Sequence, residues 1–201
     1  MYNKGLKIEK ESFKIIDSLV DLSGFKQDES MIIKRGIHAT GDIEIYKEFR
    51  FSKNWRSAAK RLFADTYTVV TDVNMVKIGI SSRYSDAICL INDEENIAIA
   101  SEKGFTRAES SIYLCYKRYD KIIFVIGNAP TALLKVIELY HNEPKDIFVI
   151  GIPVGFVSAA ESKELLANSD IPHITMLGTK GGSPVAAAVF NALYDIVGGL
   201  A

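Results

Sequence analysis

The chain has 201 residues, 24 Lys+Arg against 25 Asp+Glu, and a formal net charge of -1. With 48% hydrophobic residues it can offset chain entropy, which excludes disorder, and 14 Gly with 5 Pro exclude collagen-like and low-complexity classes. Two cysteines, Cys89 and Cys115, are too few for a disulfide scaffold, and the near-neutral charge excludes a non-specific nucleic-acid binder.

Met1 to Lys10 carries four Lys or Glu charges before any apolar run, unlike a signal peptide. The longest apolar runs are about five residues, against about 20 for a membrane helix. The expected location is a reducing cytoplasm, with both cysteines as free, buried thiols and no membrane partner.

Glu11 to Phe25 reads as an amphipathic helix through Phe13, Ile16, Leu19 and Val20, and Glu29 to His38 as a second. Ser52 to Ala64 is a third, with Ser52 as its N-cap candidate. No strand is apparent before Tyr67. Strands are expected at Tyr67 to Thr71, Ala87 to Ile91, Ile122 to Ile126, Ile147 to Ile150 and His173 to Met176. Helices are expected at Thr106 to Tyr119, Thr131 to Tyr140, Ala159 to Asn168 and Pro184 to Val197. This alternation predicts one α/β domain over residues 1–201. A mainly parallel sheet is flanked by helices and preceded by an N-terminal helical section.

All five prolines lie at or after Pro130, and eight of the 14 glycines at or after Gly127, directly behind strands. In parallel sheets such turns are where ligands bind. Gly127-Asn128-Ala129-Pro130 is one, with helix-start amides suited to a carboxylate. Gly151 to Val157 and Gly178 to Pro184 are two more. Neither Walker A nor G-x-G-x-x-G is present, and His38, His141 and His173 form no metal-ligand set with the two cysteines.

Several polar residues stand out as well. His38, three residues after Arg35, shares its helix face and is the side chain able to exchange a proton near neutrality; it also fits a helix end capped by Gly41. Asp72, after the first strand, reads as a cap for the next helix or as a ligand contact. Thr106 and Glu109 form a capping box. Arg107 then opposes the helix dipole, which an anion would explain.

Ile37 to Asp42, Thr71-Asp72-Val73 with Met75-Val76, Thr106-Arg107, Ile126 to Leu133, Pro153 to Val157, Glu161-Ser162-Lys163 and Gly181-Gly182-Ser183 together resemble the precorrin-8X methylmutase family and its cobalt-precorrin-8 counterpart. The likeness runs from about Ser12 to Leu193. It implies an isomerase of cobalamin biosynthesis that moves a methyl group from C-11 to C-12 of the macrocycle. The product would be hydrogenobyrinic acid, or cobyrinic acid when the ring carries cobalt. It implies no cofactor, since any cobalt travels in the substrate, and a homodimer whose active site lies at the subunit interface.

His38 matches the family's catalytic histidine, a general acid or hydrogen-bond donor to a ring nitrogen. The corrinoid substrate carries several carboxylates. Arg35, Arg107, Lys163 and Lys180 are the cationic substrate-binding candidates, and Ser12, Thr40, Asp72 and Asn128 the other polar ones. The amides of Gly127, Gly155 and Gly181 are expected to take further carboxylates. Ser158-Ala159-Ala160 departs from the family, where a glycine commonly follows Val157. The alternatives are a non-catalytic tetrapyrrole- or anion-binding protein of the same fold, and an S-adenosylmethionine methyltransferase. The latter would need a glycine-rich loop after the first strand, where Thr71 to Asn74 has none.

Overall fold

Burial of both sheet faces organises the molecule. Strands β1 (Phe49–Phe51), β2 (Thr68–Thr71), β3 (Lys121–Ile126), β4 (Asp146–Gly151) and β5 (His173–Met176) form one sheet in the order β1-β5-β4-β3-β2. β2 to β5 are parallel, and β1 lies antiparallel on β5. The structure is a computed structural model and describes residues 4–198. Along β3, Ile123 and Val125 enter one core while Ile122, Phe124 and Ile126 enter the other. Two-sided burial is why the strands read as unbroken apolar runs.

Nine α-helices are described: α1 (Lys4–Leu19), α2 (Gln27–Thr40), α3 (Trp55–Phe63), α4 (Asn74–Ile80), α5 (Glu94–Lys103), α6 (Arg107–Arg118), α7 (Pro130–Asn142), α8 (Ala159–Ala167) and α9 (Ser183–Leu193). Ile32 and Ile33 of α2, Leu62 of α3, Val76 of α4 and Phe190 of α9 fill the first core. Ile112 of α6, Leu133 and Val136 of α7, and Leu166 of α8 fill the second. α4, directly after β2, and α9, after β5, therefore lie on one face, and α6, α7 and α8 on the other. The chain diverges at the carboxyl edge twice, between β2 and β3 and between β4 and β5. Divergences of this kind open the ligand crevices of parallel sheets.

The expected α/β class, the parallel sheet and four of the five expected strands are present. Ala87 to Ile91 is not a strand. It touches β2 through a single bridge at Ile88, then bends onto α6, where the Leu90 amide donates to Ser111 Oγ at 3.4 Å. The N-terminal section does contain a strand, β1, but three residues are too few to show a period. α1 starts earlier than expected and stops at Leu19, before a turn in which the Ser23 amide donates to Asp21 at 2.9 Å. The N-cap of α3 is Asn54, and Ser52 instead accepts from the His173 amide at 3.0 Å. α4 is the helix expected after Asp72, whereas α5 has no counterpart among the expected elements, although Asp93 caps it and Gly104 closes it in the left-handed conformation. α9 gives way at Tyr194 to a π-helical turn, Tyr194–Gly198. Cys115 is buried, which pushes its thiol up to about 12, and Cys89 is half-buried; both are free. Among the described residues no helix is long and apolar enough to cross a membrane.

Candidate active site

At the β2/β3 divergence Asp72 is fully buried. Its carboxylate accepts from the amides of Gly127 (3.1 Å), Asn128 (2.7 Å) and Ala129 (2.7 Å). Burial pushes the carboxyl above its ordinary range, and the three amides pull it only part of the way back. Two expectations are corrected. Asp72 does not cap α4, whose N-cap is Val73, and it is buried away from any ligand. The Gly127 turn does take a carboxylate, but it is the protein's own. A Cβ on Gly127 would meet Ser183 Cα at 2.8 Å and Val76 Cγ2 at 2.8 Å, so α4 and α9 close over this turn.

The β4/β5 divergence is different. Here the loops after the two strands are laced together. Gly155 N donates to Thr179 O at 3.1 Å, and Gly182 N to Ile152 O at 2.9 Å. Gly181 has φ +156° and lies so close to β4 that a Cβ would meet Ile152 O at 2.5 Å. The Gly155 amide is thus occupied, whereas the Gly181 amide has no partner among the described residues. Lys163 does not reach a ligand: it is fully buried in α8, and its Nζ donates to the Lys180 carbonyl at 2.6 Å. Burial pushes its amine down to about 8, with Glu48 opposing. The Lys180 side chain is exposed and pairs with Asp42, just beyond α2. Beneath this pair lies a hollow of about 310 Å³ lined by Thr40, Val154, Met176 and Gly181 among others. Thr40 is placed at the hollow, although its hydroxyl also donates to Gly36 O at 3.0 Å.

α2 carries the acid–base candidate to this end of the sheet. Gly41 closes the helix in the left-handed conformation, as its sequence position suggests, and leaves His38 in the last turn. The imidazole is exposed. Its Nδ1 is hydrogen-bonded to Ser12 Oγ at 2.8 Å, and the edge of Phe13 meets the ring at a centroid distance of 5.6 Å. Nε2 has no partner among the described residues. Asp42 lies just past the Gly41 cap, so the Asp42–Lys180 pair ties the end of α2, whose last turn carries His38, to the loop after β5.

Arg35 shares the His38 face, but it is engaged. It pairs with Glu9, lies 3.9 Å from Asp195 and stacks over Phe13 at 5.1 Å. It locks α1 against α2 and is not free to take a ligand carboxylate. Arg107 is free: at the exposed start of α6 it has no ion pair or hydrogen bond to its side chain among the described residues. The capping box of Thr106 and Glu109 forms as expected, and Thr106 also meets Thr131 of α7 at 3.0 Å, which sets Arg107 near the end of β3. Asn128 is exposed on that turn. α4, α7, α8 and α9 all begin at this edge without a side-chain cap, leaving amide donors toward it. Asp42 belongs to the His38 motif in the sequence, but its partner Lys180 is 138 positions away, and no local signal could pair them.

Fold and crevice together define an α/β protein whose strand-edge site suits a carboxylate-bearing ligand and meets the end of the helix that carries His38. The sequence profile described as precorrin-8X methylmutase matches residues 7–196. A cobalt-precorrin-8 methylmutase of Methanocaldococcus jannaschii is 38% identical over 196 residues, covering 94% of this chain and 92% of its own. A precorrin-8X methylmutase of Pseudomonas aeruginosa is 36% identical over 196 residues, covering 94% of each. The crystal structure of a precorrin-8X methyl mutase from Thermus thermophilus superposes with a TM-score of 0.84 at 31% identity, covering 94% of this chain and 96% of that one. The chain belongs to the precorrin-8X methylmutase family and is an isomerase of the methylmutase class. Ser158, in the turn after Val157, sits at φ 60°, a left-handed conformation that suits glycine better than serine.

Proposed function

We propose that this isomerase moves a methyl group from C-11 to C-12 of precorrin-8 or its cobalt form, with His38 as general acid. The observation that carries the reading is the exposed His38 imidazole with Nδ1 held by Ser12. Ser12 fixes the ring and Phe13 limits its tilt, so Nε2 is the nitrogen presented to a ligand. Protonated His38 donates from Nε2 to a ring nitrogen beside the migration and draws electron density from the macrocycle. The bond to C-11 breaks as the bond to C-12 forms, and the proton returns to His38. No electrons enter or leave, so the step uses no cofactor; cobalt, where present, belongs to the substrate. A general acid of this kind contributes about 10²–10⁴-fold. The rest comes from holding one conformer of the macrocycle.

Lys180, Arg107, the Gly181 amide and the uncapped helix starts are the proposed carboxylate donors, with Ser12, Thr40 and Asn128 as polar neighbours. The proposed functional unit is a cytoplasmic homodimer whose active site draws on both subunits. In its support, Phe156 is 93% exposed and Val157 82% exposed in the loop after β4, an apolar edge beside the crevice.

The test is turnover and product binding by His38→Ala. The variant is expected to lose about 10²–10⁴-fold in turnover while still shifting the absorbance of bound hydrogenobyrinic or cobyrinic acid. Normal turnover would remove His38 from the mechanism. Binding without turnover in the unaltered protein would make it a non-catalytic corrinoid binder. Comparing the two products also identifies the metal state of the ring.

A further inference from the structure

We propose that Asp42 is a resident counter-ion for Lys180 that a ligand carboxylate displaces: Lys180 rests on Asp42 in the free protein and turns to the ligand in the complex. This rests on the reading of the β4/β5 crevice as the site of a polycarboxylated ring.

The base of Lys180 is fixed and its head is not. The buried Lys163 amine holds its carbonyl at 2.6 Å, the neighbouring Thr179 and Gly182 are tied to the loop after β4, and Gly181 is pressed against Ile152 O. The ammonium is held by one ion pair, with the Lys180 and Asp42 side chains 56% and 33% exposed. Exposed pairs are weak and screened by salt, so a ligand carboxylate can take over such a cation. Of the acids nearby, Glu44 already pairs with Lys47. The two oxygens of Asp42 have separate tasks. Oδ1 accepts from the Glu44 amide at 3.0 Å and caps the 3-10 turn Ile43–Glu48, while Oδ2 meets Lys180. The pair spans the rim of a hollow whose Val154 and Met176 suit an apolar ring, which leaves the charges at the edge where ring carboxylates would lie. Asp72 shows the contrast, since its buried carboxylate is held by three amides that no ligand reaches.

Asp42→Asn removes the charge and keeps the cap, because asparagine caps helices as well as aspartate. We would titrate the unaltered protein, Asp42→Asn, Lys180→Ala and the double variant with hydrogenobyrinic acid and cobyrinic acid, at low salt and at about 0.5 M salt. Asp42→Asn is expected to bind about two- to fivefold tighter at low salt. The gain should vanish at high salt and in the double variant. Unchanged affinity in Asp42→Asn overturns the exchange. So does a gain that survives loss of Lys180, which would mean that Asp42 repels the ligand directly. If the unaltered protein binds neither product, the crevice is not a corrinoid site and the exchange falls with that reading.

Discussion

Between β2 and β3 the carboxyl edge of the sheet is closed by Asp72, whereas between β4 and β5 it stays open under Lys180. Both places are glycine turns between a strand and a helix, and both involve an acidic residue from a distant segment. At the first, the acid is buried and takes three backbone amides. At the second, the acid is part-exposed and holds a lysine head. Burial makes the difference. A desolvated carboxylate bonded to three amides is part of the frame, while an exposed pair can be exchanged at little cost. Neighbouring strands lie about 4.8 Å apart, so the sealed turn and the open crevice are only about 10 Å from each other along one edge. The sealed turn also steadies the open one, because Gly127 packs against Ser183 at the start of α9.

The comparison breaks most visibly at Asp72. Asp72→Ala leaves three inward-facing amides without their acceptor and is expected to cost about 3 kcal/mol or more, read by urea denaturation. Asp72→Asn keeps one acceptor oxygen and should cost less. Equal, small losses in both would mean that water replaces the carboxylate and the turn is not sealed.

Lys163, beneath the open crevice, has a smaller and pH-dependent effect. Its amine loses its proton near 8 in the folded chain, against 10.5 when exposed. Between these values the unfolded chain holds more protons, so stability rises with pH across that window, while below it the destabilisation by this group is constant. The difference in unfolding free energy between the unaltered protein and Lys163→Met should therefore climb from pH 8 to 10.5. The expected rise is on the order of 1 kcal/mol after solvent screening. A flat difference would show that the amine is hydrated in the fold.

The smallest effect is at Ser158, which starts α8 beside the same crevice. A serine at φ 60° is strained where glycine is not. Ser158→Gly is expected to stabilise by about 0.5 kcal/mol, net of the added freedom of the unfolded chain. Destabilisation would indicate that the serine side chain supports the loop.

Much of the frame was legible. β3, β4 and β5 announce themselves as apolar runs buried on both faces, and the α6 capping box, the Gly41 cap and Pro130 at the first turn of α7 are local codes that the structure repeats. β1 was hidden because three edge residues carry no period. Ala87 to Ile91 misled because an apolar run that bridges β2 once and then packs on α6 has strand composition without a ladder. At the site, the residues around His38 and the free Arg107 were readable. The roles of Arg35, Lys163 and Asp72 were not. Each is a charged residue in a promising motif, and each is engaged by a partner far away in sequence.

The α/β class, the parallel strands, the helix caps and the motifs that mark the family could be read from the residues alone, because these depend on spacings within a few residues. It took the folded chain to show which glycine turn is sealed and which is open, how Arg35 and Lys180 are paired, and that Ser12 holds His38. Those outcomes depend on burial and on contacts between segments 26 to 138 residues apart, which local spacing does not encode.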